Sequence, residues 1–153
     1  MNKKFNILYT LLFIFVISCG YQPILNKNSI DFKINEIKTS GEKKINFILI
    51  NNLKSLNIVN NYSKVYDLII DSKKTREISS KDTKGNPKTY RLNLKVEIKV
   101  YANKKIKTTE IFNKSFNYNN LDSKFELSQY EEIVINNLLR NITQEFLIKL
   151  QTF

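Results

Sequence analysis

The chain has 153 residues, a formal net charge of +11 and one cysteine. It has no histidine and only three glycines, which excludes imidazole bases, Ser-His-Asp triads, Cys-His pairs, His-based metal sites and glycine-rich phosphate loops. Carboxylates and lysines are left as catalytic candidates, and the spacing of Asp67, Asp71, Asp82, Glu110, Glu131 and Glu132 asks for no acid–base pair, so a non-enzymatic protein without a cofactor or metal is expected.

The first twenty residues carry the strongest signal. Lys3 and Lys4 precede an apolar run over residues 7–17. A run this short falls below the roughly 20 residues a spanning helix needs and reads as a secretory signal. Val16-Ile17-Ser18-Cys19 closes it and resembles the lipobox of bacterial lipoproteins, with Val16 where Leu is usual. That resemblance implies cleavage before Cys19, a diacylglycerol on its sulfur and an acylated, typically palmitoylated, new amino terminus. An isolated cysteine in an exported chain also has no disulfide partner within it. Gly20 follows, where Asp would mark inner-membrane retention, so the resemblance implies the periplasmic face of the outer membrane. The alternatives are an uncleaved anchor, or a cut nearby that leaves Cys19 as a thiol.

Residues 1–18 are thus expected to be a lipoprotein signal peptide, 19–29 a lipidated tether, and 30–153 a single α+β domain. Loss of Lys3 and Lys4, the only charged residues of the signal, takes the charge from +11 to +9. Such an excess points to an anionic partner. The arginines are only Arg76, Arg91 and Arg140, whereas nucleic-acid readers concentrate arginine for its bidentate fork. No nucleic-acid partner is expected.

In chain order, Pro23 disfavours helix at Gln22, and Gly20 to Asn28 reads as extended. Ile30, Phe32 and Ile34 alternate with Asp31, Lys33 and Asn35, the period of a half-buried strand, which Ser40-Gly41 ends. From Glu42 to about Leu56, Ile45, Ile48, Leu49, Leu53 and Leu56 make one helical stripe, with Ser40 as the expected cap. After a connector over 57–63, Tyr66, Leu68 and Ile70 open a strand that continues through Arg76 and Ile78. Residues 79–89 are expected to form a polar loop around Gly85-Asn86-Pro87. The next strand is the most regular: Tyr90, Leu92, Leu94, Val96, Ile98 and Val100 face one way, and Arg91, Asn93, Lys95, Glu97 and Lys99 the other. A turn at Ala102-Asn103-Lys104 leads to a strand over 105–118, with Ile106, Phe112, Phe116 and Tyr118 in one phase and Glu110 and Lys114 interrupting it. Ser128-Gln129-Tyr130-Glu131 matches a capping box. It opens a helix whose stripe holds Val134, Ile135, Leu138, Leu139, Ile142, Phe146 and Leu150, widened by Ile133, Leu147 and Ile148.

The order β-α-β-β-β-α predicts an α+β fold, two helices packed on one face of a four-stranded, mostly antiparallel (mixed) sheet. The mixing comes from a parallel crossover at the strand–helix–strand start.

Cys19-Gly20-Tyr21, the proline shortly after at Pro23 and this element order resemble the family of lipopolysaccharide-assembly lipoproteins, LptE. The resemblance spans the mature chain in architecture and rests in residues on Cys19-Gly20-Tyr21. It implies a protein that plugs the LptD-type outer-membrane β-barrel, assists its assembly and helps deliver lipopolysaccharide to the outer leaflet, with no bond made or broken. The implied partners are that barrel, lipopolysaccharide and the membrane through the lipid anchor. No basic residue transfers by motif. From pattern alone, the candidate lipopolysaccharide-binding residues are Arg91, Lys95 and Lys99 on the wet face of the regular strand, with Arg76 and Lys88 near its loop. Competing readings are another periplasm-facing envelope lipoprotein acting as a tethered binding or assembly module, a cytosolic basic protein, and a carboxylate-only hydrolase.

Overall fold

The computed structural model describes residues 31–56 and 62–153. The signal, Cys19, the tether, Ile30 and residues 57–61 lie outside the described residues. The elements are β1 (Phe32–Gly41), α1 (Lys43–Leu56), β2 (Lys64–Lys81), β3 (Pro87–Ala102), β4 (Lys105–Asn119) and α2 (Lys124–Gln151).

The sheet runs β1-β2-β3-β4, with β1 parallel to β2 and the other two pairings antiparallel. This is the mixed α+β arrangement that the sequence predicts. One side-chain phase of each strand is buried: Phe32 and Ile34, Tyr66, Leu68 and Ile70, Leu92 through Val100, then Phe112 and Tyr118. Ile45, Leu49 and Leu53 of α1 and Val134, Ile135, Leu139, Ile142, Phe146, Leu147 and Leu150 of α2 complete the same core. Both helices therefore lie on one sheet face, and the opposite face has no covering layer among the described residues.

The β1–α1 corner is closed by a backbone contact that only glycine permits. Gly41 has φ +83, and a Cβ there would fall 2.0 Å from the Ser72 carbonyl oxygen. Glu42 N donates to that same oxygen at 3.1 Å. Ser40 does not cap α1. Its hydroxyl donates to Asp71 Oδ1 at 2.5 Å, and its carbonyl accepts from Asn46 Nδ2 at 2.7 Å. Asn46 is buried, and its Oδ1 accepts from Ser72 Oγ at 2.8 Å. The corner thus satisfies its buried polar atoms from within, as the cost of leaving them unpaired requires.

Two boundaries differ from the sequence reading. The polar loop is shorter than 79–89, because Ser80 pairs with Thr89 and Lys81 with Pro87. The turn is organised by Asp82, whose Oδ1 accepts from Lys84 N at 2.9 Å and Asn86 N at 2.8 Å. Helix α2 starts a full turn before Ser128. Ser123 is the N-cap, with its side chain accepting from Glu126 N at 3.3 Å. Ser123 to Glu126 and Ser128 to Glu131 both fit Ser-x-x-Glu, and burial of Leu127 draws the helix back to the earlier one. The turn after β3 falls where the sequence places it, except that Ala102 still pairs with Lys105, which leaves Asn103 and Lys104, both with positive φ, 51 and 63. They form a two-residue hairpin whose twist matches the strands.

Glu110 and Lys114, which interrupt the apolar phase of β4, lie where that edge strand overhangs α2. Glu110 pairs with Lys149, and Lys114 with Glu145 at 2.5 Å. Phe116, in the same phase, stays exposed because α2 does not cover the edge there, whereas Ile106 leaves that phase: a register shift beside Val100 sets it opposite Tyr101, on the open face.

Candidate functional site

The cationic residues singled out from sequence divide between the two faces of the sheet. Phase alone dictates this. Arg76 and Lys88 share the phase of the buried residues of their strands, while Arg91, Lys95 and Lys99 occupy the other.

Arg76 and Lys88 line a cavity of about 770 Å³ at the end of the helix-covered face, with Tyr90, Asn120, Lys124 and Glu131 among its walls. Its floor is a polar network. Arg76 Nη1 donates to Glu131 Oε1 at 2.7 Å, and the Tyr118 hydroxyl donates to the same oxygen at 2.6 Å. The Arg76 guanidinium lies 5.0 Å from the centre of the Tyr90 ring, a cation–π contact. Tyr118 contacts Tyr90 at 5.8 Å and Tyr130 at 6.0 Å between ring centres. Burial pulls the Glu131 carboxyl upward, but the Tyr118 and Arg76 hydrogen bonds and the Arg76 and Lys74 charges outweigh it and hold the group below its ordinary value. Burial first, then the Glu131 carboxylate, push the Tyr118 phenol up. Sequence reasoning missed Tyr118 and Glu131 as partners of Arg76, because strand phase marks Arg76 as inward without saying what helix residue meets it. Arg76 is thus already engaged by an acid, and Asp82, Asp122 and Glu131 balance Arg76, Lys88 and Lys124 around this cavity.

The open face is different. Arg91 Nε donates to Asn117 Oδ1 at 3.0 Å, and Glu77 is its cross-strand partner on β2. Lys99 pairs with Glu97 at 3.4 Å. Lys95 has no such partner among the described residues. It stands opposite Lys73 on β2 and Asn113 on β4. The structure therefore does not unite Arg91, Lys95 and Lys99 into one cationic row. It joins Lys95 to Lys73, a residue the sequence reading passed over because the pairing depends on register between strands. Cys19, the lipidation candidate, lies outside the described residues.

These elements offer charge, hydrogen-bond donors and aromatic walls. No helix among the described residues is long and apolar enough to cross a membrane.

No protein-family model matches the sequence, and comparison with curated proteins gives no significant match. Solved structures do match in fold. Rare lipoprotein B from Shewanella oneidensis superposes with a TM-score of 0.57 at 18% identity, over 77% of this chain and 95% of that one. Lipoprotein B from Nitrosomonas europaea gives 0.61 at 12% identity, over 88% and 92%. A minor lipoprotein from Acinetobacter baumannii gives 0.58 at 13%, over 80% and 92%. The chain shares the fold of these small bacterial lipoproteins almost end to end of their structures.

Proposed function

We propose that this chain is a lipoprotein of the bacterial envelope, acylated at Cys19 and held on the periplasmic face of the outer membrane. In this reading it belongs to the LptE type. It plugs an LptD-type β-barrel, assists the assembly of that barrel, and helps pass lipopolysaccharide to the outer leaflet. It makes and breaks no bonds.

The observation that carries the reading is a conjunction. A basic start and a short apolar run ending at the chain's single cysteine precede a domain whose fold is that of lipoproteins B, and neither feature depends on the other. Chemistry agrees with it. Each buried acyl methylene adds about 0.8 kcal/mol of membrane affinity, so several chains on one residue hold a small domain firmly at the bilayer. A sheet backed by two helices is a rigid wedge, suited to fill a barrel lumen. Its cationic excess suits the phosphates of lipopolysaccharide.

Tagged chain purified from detergent-solubilised envelopes tests this. The expected result is a stable complex with a large β-barrel at about one to one. Recovery of the chain alone, with the barrel in other fractions, would refute the assembly role.

A further inference from the structure

On the open sheet face, β2 and β3 carry the carboxylates Asp67, Asp71, Glu77 and Glu97, and every one has a partner. Asp67 accepts from Asn35 at 2.9 Å, Asp71 from Ser40 at 2.5 Å and Glu77 from Asn93 at 3.4 Å, while Glu97 pairs with Lys99 at 3.4 Å. Of the cations on the same face of these strands, Arg91 is held by Asn117 and Lys99 by Glu97. Lys73 and Lys95 are left. They are directly opposed across the β2–β3 ladder, which sets their Cβ atoms about 5 Å apart. Like charges so placed repel and destabilise the sheet. At the next rung on the same face Asp71 faces Glu97, but these carboxylates are engaged by the Ser40 hydroxyl and by Lys99 and pair with neither lysine.

The surroundings say what removes the penalty. Lys73 and Lys95 border an open hollow of about 460 Å³ whose other polar walls include Thr75, Asn93, Asn113 and Ser115. No carboxylate lines it, and the ammonium of Lys114, also at its border, is taken by Glu145. Two ammonium groups supply charge without fixed geometry, and amides and hydroxyls beside them donate hydrogen bonds to the remaining oxygens of a tetrahedral anion.

From this juxtaposition we infer that the Lys73–Lys95 pair, with Asn113 beside it, is a binding site for a phosphate or pyrophosphate group, whether borne by a lipid headgroup or free in solution. The site stands on the register of the sheet, and only the source of the phosphate rests on the envelope reading. Retention of the barrel complex by Lys73→Gln protein would show the two to be separable.

The test uses the full acylated chain in neutral detergent micelles, with thermal unfolding as readout. Pyrophosphate, compared with chloride at equal ionic strength, is expected to raise the midpoint by roughly 5 °C near saturation. Lys73→Gln and Lys95→Gln are each expected to weaken this binding by about tenfold or more, while Lys107→Gln leaves it unchanged. Each of the two site variants is also expected to unfold at a higher temperature than the parent when no phosphate is present, because the repulsion is gone. Phosphatidic acid mixed into the micelles separates the sources. A shift at lower concentration than pyrophosphate requires identifies a lipid headgroup, and a shift with pyrophosphate alone identifies free phosphate. No shift with either ligand, or equal shifts in the parent and both site variants, overturns the site.

Discussion

Arg76 on β2 and Glu131 on α2 meet at 2.7 Å, and Tyr118 on β4 donates to the same Glu131 oxygen. Three elements are clamped at one atom, at the end of the sheet where the larger of the two cavities opens. Glu131 is far less exposed than Arg76, with side-chain exposures of 13% and 48%. Neutralising it weakens two hydrogen bonds at once and leaves the guanidinium without its counter-charge, whereas loss of Arg76 leaves Glu131 still bonded to Tyr118. Glu131→Gln is expected to lower stability by about 2 kcal/mol and Arg76→Gln by about 1 kcal/mol, the latter discounted for solvent screening. Denaturant unfolding of both variants checks the order, and equal losses would show that Tyr118 contributes nothing to the clamp.

The same network sets a response to acid. Glu131 and Glu110 both have carboxyls held below their ordinary value, Glu131 by Tyr118 and Arg76 against the pull of burial, and Glu110 chiefly by Lys149. A group depressed in the folded state stabilises fully above its unfolded value, about pH 4.3 for a glutamate. As pH falls below that value the unfolded chain takes up protons first, and the stabilisation is lost toward the folded value. Unfolding free energy measured from pH 7 to 3 should fall on acidification, with a shallower slope in Glu131→Gln. An identical slope in the variant would contradict the assignment.

Gly41 offers a sharper prediction. Its positive φ and the 2.0 Å approach that any Cβ would make to Ser72 oxygen leave no room for alanine. The atom in the way is backbone and cannot swing aside. Gly41→Ala is expected to cost more than about 2 kcal/mol, by strain and by displacement of the β1–α1 corner. By contrast, Gly85 has positive φ but nothing within 4 Å, so Gly85→Ala carries only the conformational penalty of about 1 kcal/mol. Comparing the two unfolding midpoints separates contact from conformation.

Much of this fold is legible in the sequence because it follows from periodicity. The alternation from Tyr90 to Val100 and the stripe from Val134 to Leu150 mark the buried faces that the structure displays, and the element order follows from them. What periodicity cannot carry is register. It distinguishes Arg76 from Arg91 by phase, but not that Glu131 meets the first or that Lys73 stands opposite Lys95. The choice between two Ser-x-x-Glu boxes was likewise decided by burial of Leu127 rather than by capping chemistry. Cys19 lies outside the described residues, and its reading rests on the segment before it.

Core packing supplies a further check on the helix layer. Phe146 is fully buried and meets Phe112 edge-on at 6.3 Å between ring centres. Phe146→Ala is expected to cost about 3–5 kcal/mol, whereas Ile133→Ala, at a position 58% exposed, should change stability by no more than about 0.5 kcal/mol. If Ile133→Ala proves equally damaging in the isolated protein, the α2 face assigned to solvent is wrong.

In the proposed reading the domain is fastened to the envelope through residue 19. Mass spectrometry of the amino-terminal peptide from envelope-purified protein tests it most directly. The expected result is a chain beginning at Cys19 and carrying the added mass of a diacylglycerol and an acyl group. A bare Cys19 thiol, or an intact residue 1–18 segment on chain recovered from the cytoplasm, would contradict it.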